Sequence, residues 1–162
     1  MRTSITYLGR VIDEHGVRPD PEAIKAVRDW SKPRNKQEMQ SFLGFANYYR
    51  EFIKGHTDID YPMQLMIKKG NEYKWTPDAE CAFERMKTIL CSPPVMALPI
   101  DDAPFLVDID ALEVAVAGIL QQRQPWGDGF KDRHIAYGSK AMLPEQQKYW
   151  RWSPSWRSGM HT

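Results

Sequence analysis

A chain of 162 residues, 42% hydrophobic and 27% charged, can bury one good core or two small ones and lacks the composition of a disordered polymer. Its net charge of +1 supplies far less field than a dedicated nucleic-acid groove; the basic excess is local, with 13 Lys and Arg against 10 Asp and Glu in residues 1–75 and 9 against 11 in residues 76–162. Two cysteines, Cys81 and Cys91, make no disulfide framework and are expected as reduced, buried thiols; no apolar run approaches a membrane span or a signal-peptide core, so a soluble intracellular chain with no membrane partner is expected.

Along the chain, Ile5 to Ile12 alternates as a strand, and Asp13-Glu14-His15-Gly16 reads as a turn. Asp20 and Pro21 then supply the cap and first position of a helix ending near Trp30. Ser31-Lys32-Pro33-Arg34 links it to a longer helix, for which Asn35 is the cap and Glu38, three residues on, can reach back. Met39, Phe42, Leu43, Ala46, Tyr49 and Ile53 share one face of this helix, and Phe45, Tyr48 and Phe52 widen it enough for two contacts. Aromatics at that spacing commonly fill cores; the alternative reading lets Asn47, Tyr48 and Arg50 touch a nucleic-acid backbone from the helix edge.

A third helix is expected from about Asp58 to Lys68, offering Met63, Leu65, Met66 and Ile67 for packing. Lys68-Lys69-Gly70-Asn71 stops it, with the lysines complementing its dipole. Thr76-Pro77-Asp78 caps a fourth helix, in which Ala82, Phe83, Met86, Ile89 and Leu90 recur at helical spacing. Four prolines between Ser92 and Pro104 indicate an extended linker and a domain boundary. Phe105 to Asp110, Val114 to Gln122 and His134 to Ser139 read as strands of a β-meander, the last two joined by the loop Gln124-Pro125-Trp126-Gly127-Asp128-Gly129.

The run Ser41 to Ile53, S-F-L-G-F-A-N-Y-Y-R-E-F-I, closely resembles the thumb of Gypsy-type long-terminal-repeat retrotransposon polyproteins, whose pattern is S-F-L-G-L-x-N-Y-Y-R-R-F-I. The resemblance extends outward over about Tyr7 to Tyr149. Tyr7 to Ile12 resembles the late-palm F-L-G-H-x-I strand, Leu90 to Pro99 the connection, and Pro104 to Ala111 the first ribonuclease H strand. The resemblance implies an α+β chain in which a small helical thumb-like bundle precedes a partial ribonuclease H-like α/β domain of three antiparallel strands. It divides the chain into a palm remnant (1–20), thumb-like bundle (21–75), connection helix and linker (76–103), partial nuclease-like domain (104–149) and divergent tail (150–162).

The same resemblance implies a parent protein that copies RNA into DNA and cuts the RNA strand of the hybrid with Mg2+. The polymerase signature Y-x-D-D would precede Tyr7. Asp110 matches the aspartate of the family's T-D-A-S, a first metal ligand, but Ile109 and Leu112 replace the threonine and serine, and Ala115 and Ala117 replace glycines of the following G-x-G stretch. Two-metal cleavage needs several converging carboxylates, so Asp110 alone is not enough. The family's next ligand is a glutamate in Y-x-T-x-x-x-E-L-L-A. Here Tyr149 is followed by W-R-W-S-P-S-W, in which Pro154 interrupts a helix, and the change reads as a frame shift or mis-joined segment.

Other groups carry weaker signals. Asp108 shares a strand face with Asp110 and reads as a solvated partner; Glu113 and Glu145 read as turn and cap residues; His15, His56, His134 and His161 lack metal-ligand spacing. The function expected is therefore a segment of a reverse transcriptase/ribonuclease H polyprotein, inactive alone, with a palm segment in trans as a candidate partner. Alternatives are a non-catalytic module that binds an RNA–DNA hybrid or duplex through Asn47, Tyr48, Arg50 and Lys54, and a residual Mg2+-dependent nuclease using Asp110.

Overall fold

The structure, a computed structural model, describes residues 4–111 and 114–147. The expected roles of Leu112 and Glu113, and the readings of Tyr149, Pro154, His161 and the 150–162 tail, lie outside the described residues.

The first sheet is a meander of β1 (Ser4–Tyr7), β2 (Arg10–Asp13) and β3 (Gly16–Pro19). Ile5 to Ile12 is therefore two strands, not the single one expected, because the backbone reverses at Leu8 (φ 46°) and Gly9 (φ 67°). Two positive φ values give the twist a two-residue hairpin needs. Leucine at the first position hides this turn, since the familiar Asn-Gly signal is missing. The Tyr48 hydroxyl donates to Leu8 O, and the Tyr49 hydroxyl donates to Gly9 O at 3.1 Å, so the aromatic helix holds the hairpin tip.

Four helices follow: α1 (Pro21–Arg28), α2 (Lys36–Tyr48), α3 (His56–Ile67) and α4 (Pro77–Cys91). Three of the four starts follow the predicted caps. Asp20 accepts from Glu22 N at 3.0 Å, Asn35 from Glu38 N at 2.9 Å, and Thr76 from Ala79 N at 3.2 Å. The Glu38 carboxylate reaches back to Arg34 N at 2.8 Å and to the Asn35 amide at 2.9 Å. Helix α2 does not continue to Ile53 as its face suggested; it gives way to a 3-10 turn, Arg50–Phe52, and Gly55 (φ 68°) then starts α3 two residues earlier than expected. At the end of α3, Lys36 Nζ donates to Asn71 O at 2.6 Å and Asn71 Nδ2 to Leu65 O at 2.7 Å, while Lys68 and Lys69 are exposed.

One apolar cluster unites these helices. The Phe42 ring lies 4.6 Å from Phe83 and 5.6 Å from Trp30, and Met39, Met63 and Met86 belong to the same cluster at 0% exposure. Ala79, Ala82, Phe83, Met86 and Leu90 form the buried stripe of α4. Cys81 lies on the opposite side and is exposed, which corrects the expectation of two buried thiols. A rise of about 1.5 Å per residue keeps it roughly 15 Å from Cys91, too far for a bridge.

The second sheet has the order β4-β5-β6, all antiparallel, with β4 at Phe105–Ala111, β5 at Ala115–Trp126 and β6 at Gly129–Ala141. β5 and β6 exceed their predicted lengths: Trp126 pairs with Gly129, and the expected loop shrinks to a Gly127-Asp128 turn. Apolar residues in that loop, Pro125, Trp126 and Phe130, serve in a ribbon where the glycines had suggested punctuation.

The segment from Ser92 to Pro104 holds no helix and no strand beyond an isolated bridge at Met96, turns at Asp101-Asp102 where Asp102 has φ 61°, and is tied to both sheets. Val17 N donates to Met96 O at 2.7 Å and Met96 N to Val17 O at 2.8 Å, while Ala97 N donates to His134 O at 2.7 Å. Gln122, 0% exposed, accepts from Ile100 N at 2.9 Å and donates to Ala103 O at 2.8 Å; Gln124 donates to Leu98 O at 2.7 Å. A glutamine amide offers both donors and an acceptor, so it satisfies linker backbone that prolines leave without regular partners.

Candidate nucleic-acid interface and the Asp110 cleft

Between the helices and the second sheet lies a cleft of about 620 Å³. Lys54 comes to it from the segment before α3, Asp58 from the first turn of α3, Arg85 from α4, and Asp110 from β4 opposite Ala117. Tyr137 of β6 completes the wall. Asp110 therefore shares the cleft lining with two cations and one other carboxylate. Asp108 is exposed and accepts a hydrogen bond from Gln121, the solvated role read for it. Glu145 is exposed outside the cleft lining.

Among the described residues, no three His, Cys, Asp or Glu side chains gather where a metal ion could be held. Asp110 and Asp58, opposed by Lys54 and Arg85, do not fit the donor set of a two-magnesium centre, which takes several converging carboxylates. His134 Nδ1 lies 2.9 Å from the Tyr137 hydroxyl, and the His15 carbonyl accepts from Arg133 at 2.7 Å.

The structure separates the four predicted nucleic-acid contacts. Tyr48 is already engaged: its hydroxyl accepts from Arg10 Nη1 at 3.1 Å, its ring lies 4.8 Å beneath the Arg10 guanidinium, and Arg10 Nε pairs with Glu51 at 2.7 Å. Asn47, Arg50 and Lys54 are exposed, and their side chains make no ion pair or hydrogen bond among the described residues. Lys54 thus presents exposed charge in the cleft lining, and Arg50 presents exposed charge in the 3-10 turn before it. Arg85 and Asp58 escaped sequence reading because a charge flanking an amphipathic stripe looks like any solvated helix face.

Beneath Arg50 lies a buried polar pair. His56 Nδ1 is 3.8 Å from Asp60 Oδ2, which accepts from Gln64 at 3.0 Å, and His56 Nε2 has no partner among the described residues. Burial, reinforced by the Arg50 charge, lowers His56 to about 4. Burial raises Asp60 to about 6, against a smaller opposing effect of the Gln64 hydrogen bond. At neutral pH the histidine is neutral and the carboxylate charged at an energetic cost. Because the folded pKa of Asp60 lies above its unfolded value, its stabilising contribution is complete below about pH 4 and lost as pH rises through 6. Asp60→Asn should therefore raise stability at pH 8 by roughly 1–3 kcal/mol and give no gain at pH 4. Urea unfolding at the two pH values reads this directly; equal stability of variant and parent at pH 8 would contradict it.

Comparison with known proteins adds lineage to this geometry. Residues 75–153 match the family described as the RNase H-like domain found in reverse transcriptase. The Tf2-3 and Tf2-4 transposon polyproteins of Schizosaccharomyces pombe are each 34% identical over 148 residues, covering 91% of this chain. The chain spans 11% of the length of those relatives. Among solved structures, a foamy viral protease-reverse transcriptase in complex with dsDNA is similar at a TM-score of 0.76 and 24% identity, over 91% of this chain and 30% of that one. The same viral protein in complex with an RNA/DNA hybrid gives a TM-score of 0.73 at 24% identity, over 91% of this chain and 20% of that one. These structural likenesses concern the fold: a helical unit followed by a three-stranded antiparallel sheet, as the sequence had implied.

Proposed function

We propose that this chain, whose residues 75–153 match the RNase H-like domain found in reverse transcriptase, is a nucleic-acid-gripping segment of a retrotransposon polyprotein that does not cut by itself. The observation that carries this reading is the placement of exposed Lys54 at a cleft that also holds Arg85, with exposed Arg50 four residues before it in the chain. The parent activity is RNA-directed DNA synthesis with cleavage of the RNA–DNA hybrid. This segment contributes phosphate contacts from residues 21–75 and a sheet scaffold from residues 104–149. A palm segment bearing the polymerase aspartates, in the same or another polypeptide, is its partner. The tail beyond Tyr149 carries none of the family's E-L-L-A motif.

Physical chemistry limits the grip. Arg50 and Lys54 neutralise phosphate on a chain whose net charge is only +1, so binding is weak and falls with salt as counterions are released. Asp110 repels the same phosphates unless a cation covers it, and Lys54 and Arg85 in its cleft reduce that repulsion.

Fluorescence anisotropy of a labelled RNA–DNA hybrid, titrated with the full chain at several salt concentrations, tests the reading. The Arg50→Ala, Lys54→Ala double variant should bind more weakly and reduce the log–log salt slope by roughly 2. No hybrid binding by the parent chain at low salt, or an unchanged slope in the variant, would remove the proposal.

A further inference from the structure

The end of the second sheet carries a feature that the cleft does not use. β4 pairs with β5 only as far as Gln122, opposite Phe105, while β5 continues to Trp126 and β6 returns from Gly129. Beyond β4 the sheet is a two-stranded arm, projecting roughly 13 Å at 3.3 Å per residue. Its base is fixed by Arg133, which donates to His15 O at 2.7 Å, and by Gln124 against the linker at Leu98 O, 2.7 Å away.

Strand alternation puts Trp126, Lys131 and Arg133 on one face of the arm and Arg123 and Phe130 on the other. Gly129, opposite Trp126, has no side chain, so the indole can lean along β6. Lys131 Nζ stands 5.3 Å and the Arg133 guanidinium 4.8 Å from its ring centre. Trp126 remains 54% exposed, and Phe130 is 68% exposed. Neither ring belongs to the apolar core. An exposed aromatic that organises two cations combines a stacking surface with phosphate-directed charge.

We propose that this arm is a binding site for single-stranded nucleic acid, in which a base stacks on Trp126 and Lys131 and Arg133 meet the flanking phosphates. The inference rests on the reading of this chain as a nucleic-acid-binding segment, but it concerns a surface remote in sequence from Arg50 and Lys54 and a different form of the ligand. Charge complementarity favours this occupant. Three cations, Arg123, Lys131 and Arg133, stand on the arm against Asp128 and Asp132, and a polyanion with exposed bases matches both the aromatic and the charged parts. A paired duplex hides its base faces and gains nothing from the indole.

The test compares the full chain and its variants on two probes, a labelled oligo-dT strand and a labelled RNA–DNA hybrid, by anisotropy at low salt. Trp126→Ala should weaken oligo-dT binding roughly tenfold and leave hybrid binding within twofold, and Trp126→Phe should restore most of the loss. Lys131→Ala should weaken oligo-dT binding and flatten its salt dependence. The Arg50→Ala, Lys54→Ala variant should show the reverse preference, losing hybrid more than oligo-dT. Failure of the parent chain to bind oligo-dT while it binds hybrid would overturn the arm alone; failure on both probes would overturn the arm and the wider nucleic-acid reading. Equal loss on both probes in Trp126→Ala, or Trp126→Phe as weak as Trp126→Ala, would also overturn base stacking at the arm.

Discussion

Phe42→Ala should cost about 3–5 kcal/mol of unfolding free energy. The ring is 0% exposed and stands where α2 meets α4 and the segment after α1, through Phe83 and Trp30, 4.6 and 5.6 Å away. Its removal loses the transfer free energy of the ring and leaves a void in a buried cluster whose members, among them Met39, Met63 and Met86, belong to three different helices. Side chains on separate helices cannot collapse into the space without moving the helices, so most of the cavity penalty stays. Typical domains are stable by about 5–15 kcal/mol, so such a loss removes a large share of the total. Denaturant unfolding followed by far-ultraviolet circular dichroism measures it. A cost below about 1 kcal/mol would place the centre of the core elsewhere.

Gly16→Ala should be the next most damaging change, at roughly 2–4 kcal/mol. Gly16 has φ 134°, a conformation L side chains rarely adopt, and a Cβ there would land well inside contact distance of the Met96 carbonyl oxygen. That oxygen accepts from Val17 N, one of the two hydrogen bonds joining the first sheet to the linker. The substitution thus strains the turn and breaks the tether together. Increased hydrogen exchange at the Val17 and Met96 amides, with little change at Met86, would locate the damage. Unchanged protection at both amides would show that the tether does not depend on this glycine.

The legibility of the sequence followed the range of the interactions. Asn35 with Glu38, and Thr76 ahead of Pro77, announce helix starts because capping is settled within four residues. The buried stripe of α4 was equally plain, since one helix face needs only one period. The Leu8-Gly9 turn was hidden because its conformation is held from forty residues away, by Tyr48 and Tyr49 hydroxyls on the carbonyls of Leu8 and Gly9. The early end of α2 was masked by aromatics that kept helical spacing through Phe52 while the backbone tightened into a 3-10 turn. In the cleft, Asp110 and Lys54 are residues that family likeness had singled out. Arg85, Asp58 and Tyr137 required the packing of α3, α4 and β6 around one cleft.

The tyrosines of α2 also show how one motif serves two ends. Tyr49, 4% exposed, packs beside Phe45 and Phe52 while its hydroxyl reaches Gly9 O, and burial raises its pKa. Tyr48 stays outside, stacked with Arg10. The helix face that looked wide enough for two contacts indeed makes two, one with the helical core and one with the first sheet.

The central claim is a grip on nucleic acid without a complete cutting centre in this chain, and incubating the purified full chain with a labelled RNA–DNA hybrid in Mg2+ tests it most directly. The account predicts salt-sensitive binding and an RNA strand left intact by the parent chain and by Asp110→Asn alike. Mg2+-dependent cleavage of the RNA strand that disappears in Asp110→Asn would contradict it.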